Sequence, residues 1–266
     1  MPEAYLTIDD GPSETFTALV DFLHKRKIPA VFFNRGDNMD ARPEAVLYGI
    51  ERGFIMANHT YSHRRASQLT LTEMQGEIAR TDEILERLYQ RAGVKRPGKY
   101  FRFPYMDRGM GPCFTEPEGL KEEHATAHRE LLQGGLGHIP KIPDENQIAH
   151  KRKIQEILKS LGYTPLPTPG VKIPWYAETE MAQSIDSLCT FSTSDWALQD
   201  RHRGKHGFST LKDLTDKIDT DPWLKSTSRH IILAHDQSEI HDTVIGLTDH
   251  FIKTKFKFLP FDSSCT

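Results

Sequence analysis

Short apolar segments alternate with amphipathic helical patterns along most of this chain, and that alternation constrains its fold more than any other feature. Apolar runs of this length predict buried strands, and they lie at residues 4–8, 29–33, 54–58, 99–104, 188–191, 230–235 and 256–261. Strands that alternate with helices predict βαβ units and a parallel sheet. Several strands end in polar residues, which is typical of a barrel with its site at the carboxyl ends of the strands.

Helical patterns occupy the segments between these strands, at 13–27, 42–53, 69–93, 144–162, 209–218 and 240–255. In the third of them, Thr72 is the predicted N-cap and Gly93 the predicted stop. The alternation breaks at about 109–143, where Gly, Pro and charged residues surround one helical pattern at 117–133. We interpret this segment as an insertion that borders the site or decorates the surface of a single domain spanning 1–266.

Composition argues against several classes of function. The 266 residues carry a net charge of −3 with a pI near 6.5, which gives no electrostatic case for nucleic-acid binding. Three widely spaced cysteines, Cys113, Cys189 and Cys265, indicate neither a disulfide framework nor a cysteine zinc site. No apolar run is long enough to cross a membrane. The start, MPEAYLTIDD, lacks signal-peptide features, so we expect a cytoplasmic protein, although a secreted protein trimmed of its leader would look the same.

Two motifs place polar side chains where predicted strands end. In YLTIDDGPS, Asp9 and Asp10 follow the first strand, although Asp and Gly are equally typical of an ordinary turn. The third strand runs directly into NHTYSH, which puts His59 and His63 four residues apart. Two imidazoles at that spacing can converge on one metal ion. Together the motifs predict a metal site.

The expected ligand set is two imidazoles and one carboxylate, which is the chemistry of a catalytic zinc with a position open to water. Cobalt, nickel or iron could also occupy such a site. The second Asp would remain free to take a proton from the activated water. Two other His pairs share the spacing but neither follows a strand directly nor has a comparable acid pair, so we expect no metal there: His124 with His128, and His202 with His206.

Five motifs, in order, carry a resemblance to a known family. TIDDGP, NHTYSH, FRFPY, SDW and ILAH resemble the motifs TFDDGP, HxxxH, RxPY, DxxDW and LxH of the polysaccharide deacetylase (NodB homology) family, carbohydrate esterase family four. The resemblance covers essentially residues 5–262. It implies a distorted (β/α), TIM-like barrel of about seven parallel strands, and metal-dependent removal of N-acetyl groups from a carbohydrate.

The resemblance implies a role for each matching residue. Asp10, His59 and His63 would bind one divalent metal, with Zn²⁺ the first expectation, and Asp9 would be the general base. Arg102 would pair with Asp9 and keep it ionised, since an adjacent cation lowers the pKa of a carboxyl group.

The later motifs would supply the acid and the acetyl pocket. His235 would be the general acid that protonates the departing amine, and Asp195 would orient it. The backbone N–H of Tyr105 would stabilise the oxyanion. Trp196 and Leu233 would line the slot for the acetyl methyl group, a role compatible with ordinary core packing.

The sequence departs from the family pattern at three places. Ile8 replaces a Phe in the first motif, an exchange of apolar residues that we expect to be tolerated. Ser192 stands where DxxDW has its first Asp, which weakens the assignment of Asp195. The segment before Asp195 is long and should reshape the substrate groove. Within it, Trp175 and Tyr176 could stack on a sugar ring or pack in the core.

The leading functional hypothesis is a deacetylase acting on an amino-sugar polymer or oligosaccharide of the chitin or peptidoglycan type. An alternative keeps the mechanism but acts on a small cytosolic amide, a formamide or an O-acetyl ester. A third hypothesis is an inactive sugar-binding barrel, which would need neither Asp9 nor His235. The sequence does not indicate the oligomeric state or the sugar.

Overall fold

The structure of the protein is a computed structural model that describes residues 1–111, 117–130 and 142–261. Its strands are β1 (Glu3–Asp9), β2 (Ala30–Asn34), β3 (Ile55–Asn58), β4 (Phe191–Ser192), β5 (His230–His235) and β6 (Lys257–Phe258). Its α-helices are α1 (Phe16–Lys25), α2 (Gly36–Ala41), α3 (Pro43–Glu51), α4 (Leu71–Ala92), α5 (Glu122–Glu130), α6 (Glu145–Ser160), α7 (Pro174–Ala177), α8 (Leu211–Thr220) and α9 (His241–Lys253). The predicted α/β alternation is confirmed, and the short helices α2 and α7 were not predicted.

The six named strands of the described residues form one parallel sheet. The order is β3-β2-β1-β5-β4, and β6 lies beside the start of β1. β1 is central, and its last residue, Asp9, pairs with Phe33 of β2 and with His235 of β5. β1 is buried from Ala4 onward, as expected for a parallel strand covered on both faces. The register therefore brings the carboxyl ends of β1, β2 and β5 to one edge.

The strand predicted at 99–104 is reduced to one bridged residue, which corrects that prediction. Phe101 forms parallel bridges with Asn58, at the end of β3, and with Asp186. The ladder stops there because Pro104 has no N–H and begins a 3₁₀ turn. The segment from Asp186 leads into β4, which pairs with β5. These bridges thus connect both edges of the sheet and curve it into a distorted ring.

Helix α4 begins at a different cap from the one predicted. Thr70 Oγ1 accepts a hydrogen bond from the backbone N–H of Glu73 at 3.2 Å, and the Glu73 carboxylate accepts from the Thr70 N–H at 2.8 Å. This reciprocal capping box fixes the start at Thr70, so the prediction of Thr72 was wrong. Gly93 ends the helix with φ 65°, as predicted.

The insertion predicted at 109–143 is described only in part, since 112–116 and 131–141 lie outside the described residues. Within it, α5 occupies the middle of the helix predicted at 117–133. A buried ion-pair network ties the ring to the elements around α5. Arg108 lies 2.7 Å from both Asp186 and Glu180, and Lys151 lies 2.8 Å from Glu180 and 2.7 Å from Glu118. Pairing offsets much of the cost of burying these charges.

Apolar residues of the sheet and of α1, α3, α4, α8 and α9 form the largest hydrophobic cluster. Trp175 and Tyr176 are buried in a second cluster, at 1% and 8% exposure, together with Leu233. The interpretation of these two aromatic residues as a sugar-stacking surface is therefore wrong, because packing removes both rings from solvent. Cys189 is buried and reduced, whereas Cys113 and Cys265 lie outside the described residues. Among the described helices, none has the length and apolarity to span a membrane.

Candidate active site

The two aspartates of the first motif leave β1 in different directions. Asp9 ends the strand, and Asp10 takes a left-handed conformation with φ 73°. Gly11 follows, and a Cβ at this position would lie 2.6 Å from Asn34 Oδ1. Only glycine fits such a close approach without displacing Asn34. This tight turn presents both carboxylates at the edge where the strands end.

Asp10, His59 and His63 form a candidate metal centre. Asp10 Oδ1 lies 2.9 Å from His63 Nε2 and 3.4 Å from His59 Nε2. Ligand atoms of the three residues lie within 4.8 Å of one another, and theirs is the one group of three or more such residues found in the described chain. Sequence spacing alone did not separate this His pair from the other two.

The arrangement of donors and acceptors fits a bound cation. His59 Nδ1 lies 2.8 Å from the carbonyl oxygen of Arg102, and donation to that oxygen leaves the lone pair of Nε2 facing Asp10. Asp10 Oδ1 is buried and has no hydrogen-bond partner. A buried acceptor facing another acceptor is costly unless a cation lies between them. The residues present therefore suit a divalent metal.

The protonation states of the cluster agree with this assignment. Burial raises the pKa of Asp10, but His63 and His59 outweigh that effect and hold the pKa well below its usual range. Burial lowers the pKa of His63, which favours the neutral ring that metals bind. Gln237 Nε2 donates a hydrogen bond to Asp10 Oδ2, so the other carboxylate oxygen of Asp10 is held as well.

Asp9 lies beside the centre and is paired with a buried cation. Arg102 Nη1 donates to Asp9 Oδ1 at 2.9 Å and to Thr7 Oγ1 at 2.8 Å. The Arg102 side chain is fully buried, and these hydrogen bonds hold its guanidinium in one orientation. The second Asp9 oxygen, Oδ2, lies 3.8 Å from His59 Nε2. Asp9 is therefore placed to accept a proton next to the candidate metal position.

His235 and Asp195 form a second pair at the same edge. Asp195 Oδ2 accepts from the backbone N–H of His235 at 2.7 Å, and Oδ1 lies 2.8 Å from His235 Nδ1. Burial opposes the charged ring, but Asp195 and the nearby aspartates Asp10 and Asp9 raise the pKa of His235 to about 9. The imidazole is therefore protonated at neutral pH, with Nε2–H available to donate.

Lys217 holds the segment that precedes Asp195, a role that was not predicted from the sequence. Its Nζ donates to the carbonyl oxygen of Ser192 at 2.6 Å and to Ser194 Oγ at 2.7 Å. Ser194 has φ 58°, a strained conformation for a non-glycine residue. Lys217 thus fixes the turn that leads into Asp195, at the point where the family pattern has an additional Asp and this chain has Ser192.

A cavity of about 410 Å³ contains these groups. Tyr105, Trp196 and Leu233 line it, so the structure places all three beside the candidate centre. The Tyr105 ring is 46% exposed and lies 4.6 Å from the His63 ring. Cavity residues that sequence reasoning missed are Arg35, Arg65, Met106, Gln199, Arg201 and Gln237. Of these, Arg35 and Gln237 carried a signal, because each follows the end of a strand, β2 and β5 respectively.

The two alternative His pairs lie in different surroundings. His202 and His206 line the cavity and pack edge-on against Trp196, at 5.4 and 4.8 Å between ring centroids. His128 of α5 is buried beside Trp175. Neither pair belongs to a three-residue ligand group within the described chain. A larger cavity, of about 910 Å³, lies at the other end of β1, far from this chemistry.

The fold and the site together define a class of protein: a parallel α/β ring with a candidate Asp-His-His metal centre at the carboxyl ends of its strands. Residues 2–109 match the family model "polysaccharide deacetylase". Over these residues the chain is similar to the polysaccharide deacetylase (NodB homology) family, carbohydrate esterase family four.

Known proteins similar to this chain cover it to different extents. A peptidoglycan-N-acetylglucosamine deacetylase of Bacillus cereus is 38% identical over 104 residues, which are 39% of this chain and 36% of that relative. The chain thus spans about a third of the length of this curated relative.

Two solved structures show the same fold over nearly the whole chain. A family 4 carbohydrate esterase from Streptomyces lividans, in complex with acetate, has a TM-score of 0.56 at 17% identity and covers 96% of this chain and 90% of its own. A family 4 pseudoenzyme from Bacillus anthracis has a TM-score of 0.56 at 13% identity and covers 97% of this chain and 63% of its own.

Proposed function

We propose that this protein is a metal-dependent deacetylase that hydrolyses N-acetyl groups of an amino-sugar polymer or oligosaccharide. The observation that carries the proposal is the placement of Asp9 beside the Asp10-His59-His63 cluster, with its carboxylate paired to buried Arg102. Zn²⁺ is the proposed metal, because two imidazoles and one carboxylate are a common catalytic zinc ligand set.

The chain's own residues would divide the chemistry between a base and an acid. When bound, the metal supplies Lewis acidity, which makes water more acidic and an amide carbonyl more electrophilic. Asp9 accepts the proton of the attacking water. His235 Nε2–H donates a proton to the nitrogen as the C–N bond breaks, so that acetate and a free amine leave. Asp195 holds the His235 ring for that transfer, and general acid–base catalysis of this kind contributes about 10²–10⁴ in rate.

The remaining cavity residues would bind the acetyl group. Trp196 and Leu233 offer an apolar wall for the methyl group, and the backbone N–H of Tyr105 is the proposed donor to the oxyanion. The same site could act on a smaller amide or an O-acetyl ester, because it fixes the acetyl group rather than the sugar.

A sugar-binding protein without activity is the second candidate, favoured by the likeness to a family 4 pseudoenzyme. That hypothesis gives no reason for a buried Arg102 directed at Asp9 or for the Asp195–His235 pair. Each costs desolvation that a binding protein does not need. The complete set of base, ligands and acid therefore supports the enzyme.

Acetate release in metal titrations of two variants tests the proposal. Asp9→Asn should keep its metal and lose about 10²–10⁴ in turnover, because the proton acceptor is gone. Asp10→Asn should bind metal weakly and recover part of its activity when metal is added in excess. If excess metal rescues Asp9→Asn but not Asp10→Asn, the assigned roles are reversed. If the wild type releases no acetate from chito-oligosaccharides, peptidoglycan fragments, acetylxylan or small amides, the enzyme proposal fails.

A further inference from the structure

The charges that line the cavity are unequal in sign. Within the described chain, the only acidic residues of its lining are Asp9 and Asp10, whereas Arg35, Arg65 and Arg201 all contribute to it. Asp9 is offset by Arg102, and Asp10 belongs to the candidate metal centre. The cavity outside the catalytic cluster is therefore lined by cations.

Arg35 contributes little to this excess, because its guanidinium is paired with Asp37 at 2.6 Å. Arg65 lies over the exposed ring of Tyr105, with its guanidinium carbon 4.1 Å from the centroid. Tyr105 in turn contacts His63. Arg65 thus approaches the candidate metal centre from the side of the second motif.

Arg201 approaches from the side of Trp196 and is held in place. Its Nε donates to Gln199 Oε1 at 3.0 Å. Gln199 Nε2 donates to Gln237 Oε1, and Gln237 donates to Asp10. Side-chain hydrogen bonds therefore run without a break from the rim of the cavity to the candidate metal ligand. This series of hydrogen bonds fixes the Nε–H of Arg201 and thereby orients the other N–H groups of its guanidinium.

The remaining donors of Arg201 are available to a ligand. No carboxylate of the described residues lies within ion-pair distance of this guanidinium, and its terminal nitrogens donate to no other described residue. An arginine that is oriented, exposed to the cavity and not neutralised suits a planar carboxylate, which it can bind through two parallel hydrogen bonds.

We propose that the substrate is an acidic N-acetylated glycan and that Arg201 binds a carboxylate on the acetylated sugar or its neighbour. This inference rests on the proposed function, because it concerns the same site. Arg65, over the Tyr105 ring, adds to the attraction. The hydrogen-bonded glutamines keep Arg201 at a fixed position relative to the candidate centre.

The test compares each acidic substrate with its own uncharged form. Two N-acetylated oligosaccharides are used, one containing uronic acid and one containing lactyl ether carboxylates, each as the free acid and as the methyl ester. Chitohexaose is the neutral reference. We expect the KM of at least one free acid to be about 10-fold below that of its ester, a difference that shrinks at high salt because charges are screened.

Arg201→Gln should raise the KM of the preferred free acid by about 10-fold, leave kcat within about twofold, and leave the ester unchanged. Lys205→Gln is the matched control, because it removes one positive charge from the same loop at a residue that does not line the cavity. Equal KM values for acids and esters, or equal effects of the two variants, would overturn the proposal.

The outcome is separable from the proposed function. Acetate release from chitohexaose with no preference for acids would uphold the deacetylase and overturn the acidic substrate. If no compound releases acetate, calorimetry on the metal-loaded protein still measures the Kd of each acid and ester. Tighter binding of an acid that Arg201→Gln abolishes would support the carboxylate site, and equal Kd values would refute it.

Discussion

Replacing Gln237 with Leu should weaken metal binding without touching any proposed ligand. Gln237 Nε2 donates to Asp10 Oδ2, while Asp10 Oδ1 faces His59 and His63. The carboxylate is thus held from one side by an amide and turned towards the imidazoles on the other. Leu has a similar size but forms no hydrogen bond, so the variant removes the restraint on Asp10 together with the contact from Gln199.

The expected size of the effect follows from that one contact. A hydrogen bond to a charged group contributes about 1.5–3 kcal/mol, which corresponds to about 10–150-fold in affinity. Outer partners of metal ligands typically contribute about 10–100-fold in metal affinity. Because the cavity admits water, which can replace part of the lost bond, we expect the Kd for Zn²⁺ to rise by about 10-fold.

Competition with a chromogenic chelator measures this Kd directly, without any activity assay. Gln199→Leu should give a smaller increase, because Gln199 acts only by holding Gln237. Gln90→Leu, on the exposed face of α4, controls for the exchange of Gln for Leu itself. An unchanged Kd in Gln237→Leu, or a larger loss in Gln199→Leu, would show that Asp10 does not depend on this contact.

Two further predictions concern the acid and the alternative His pair. His235 must be protonated to act, and its pKa is raised to about 9, so activity should fall as the pH rises through about 9. Asp195→Asn removes the negative charge that raises this pKa most. In a pH–rate profile of that variant, the fall in activity should move down by about 1–3 pH units. The double variant His124→Ala, His128→Ala should keep its full metal content in elemental analysis. Its thermal stability should drop, because His128 is buried. Metal loss comparable to that of His59→Ala would show that His124 and His128 bind the metal.

Local sequence patterns predicted most of the elements because their causes are local. Apolar runs such as those of β1 and β5 have to be buried, and strands separated by helices have to run parallel. The errors also have local causes. The sequence predicts Thr72 as the N-cap of α4, but the capping partner Glu73 lies three residues after Thr70. The prediction of a strand at 99–104 was wrong because only Phe101 joins the ladder before Pro104 ends it.

The sequence by itself determined the order of the elements and the chemistry on offer: two adjacent carboxylates after one strand, two imidazoles after another, and a histidine at the end of a third. A motif carries that information because the end of a strand and the residues that follow it are neighbours in the sequence.

Only the tertiary structure decided which polar groups meet. Asp10 and Gln237 are 227 residues apart and share a hydrogen bond, and Lys217 reaches Ser192 across 25 residues. The ring of strands likewise buried Trp175 and placed Arg201 beside the cavity. Such contacts depend on how distant elements pack, since packing direction is set by the whole core and by no single segment.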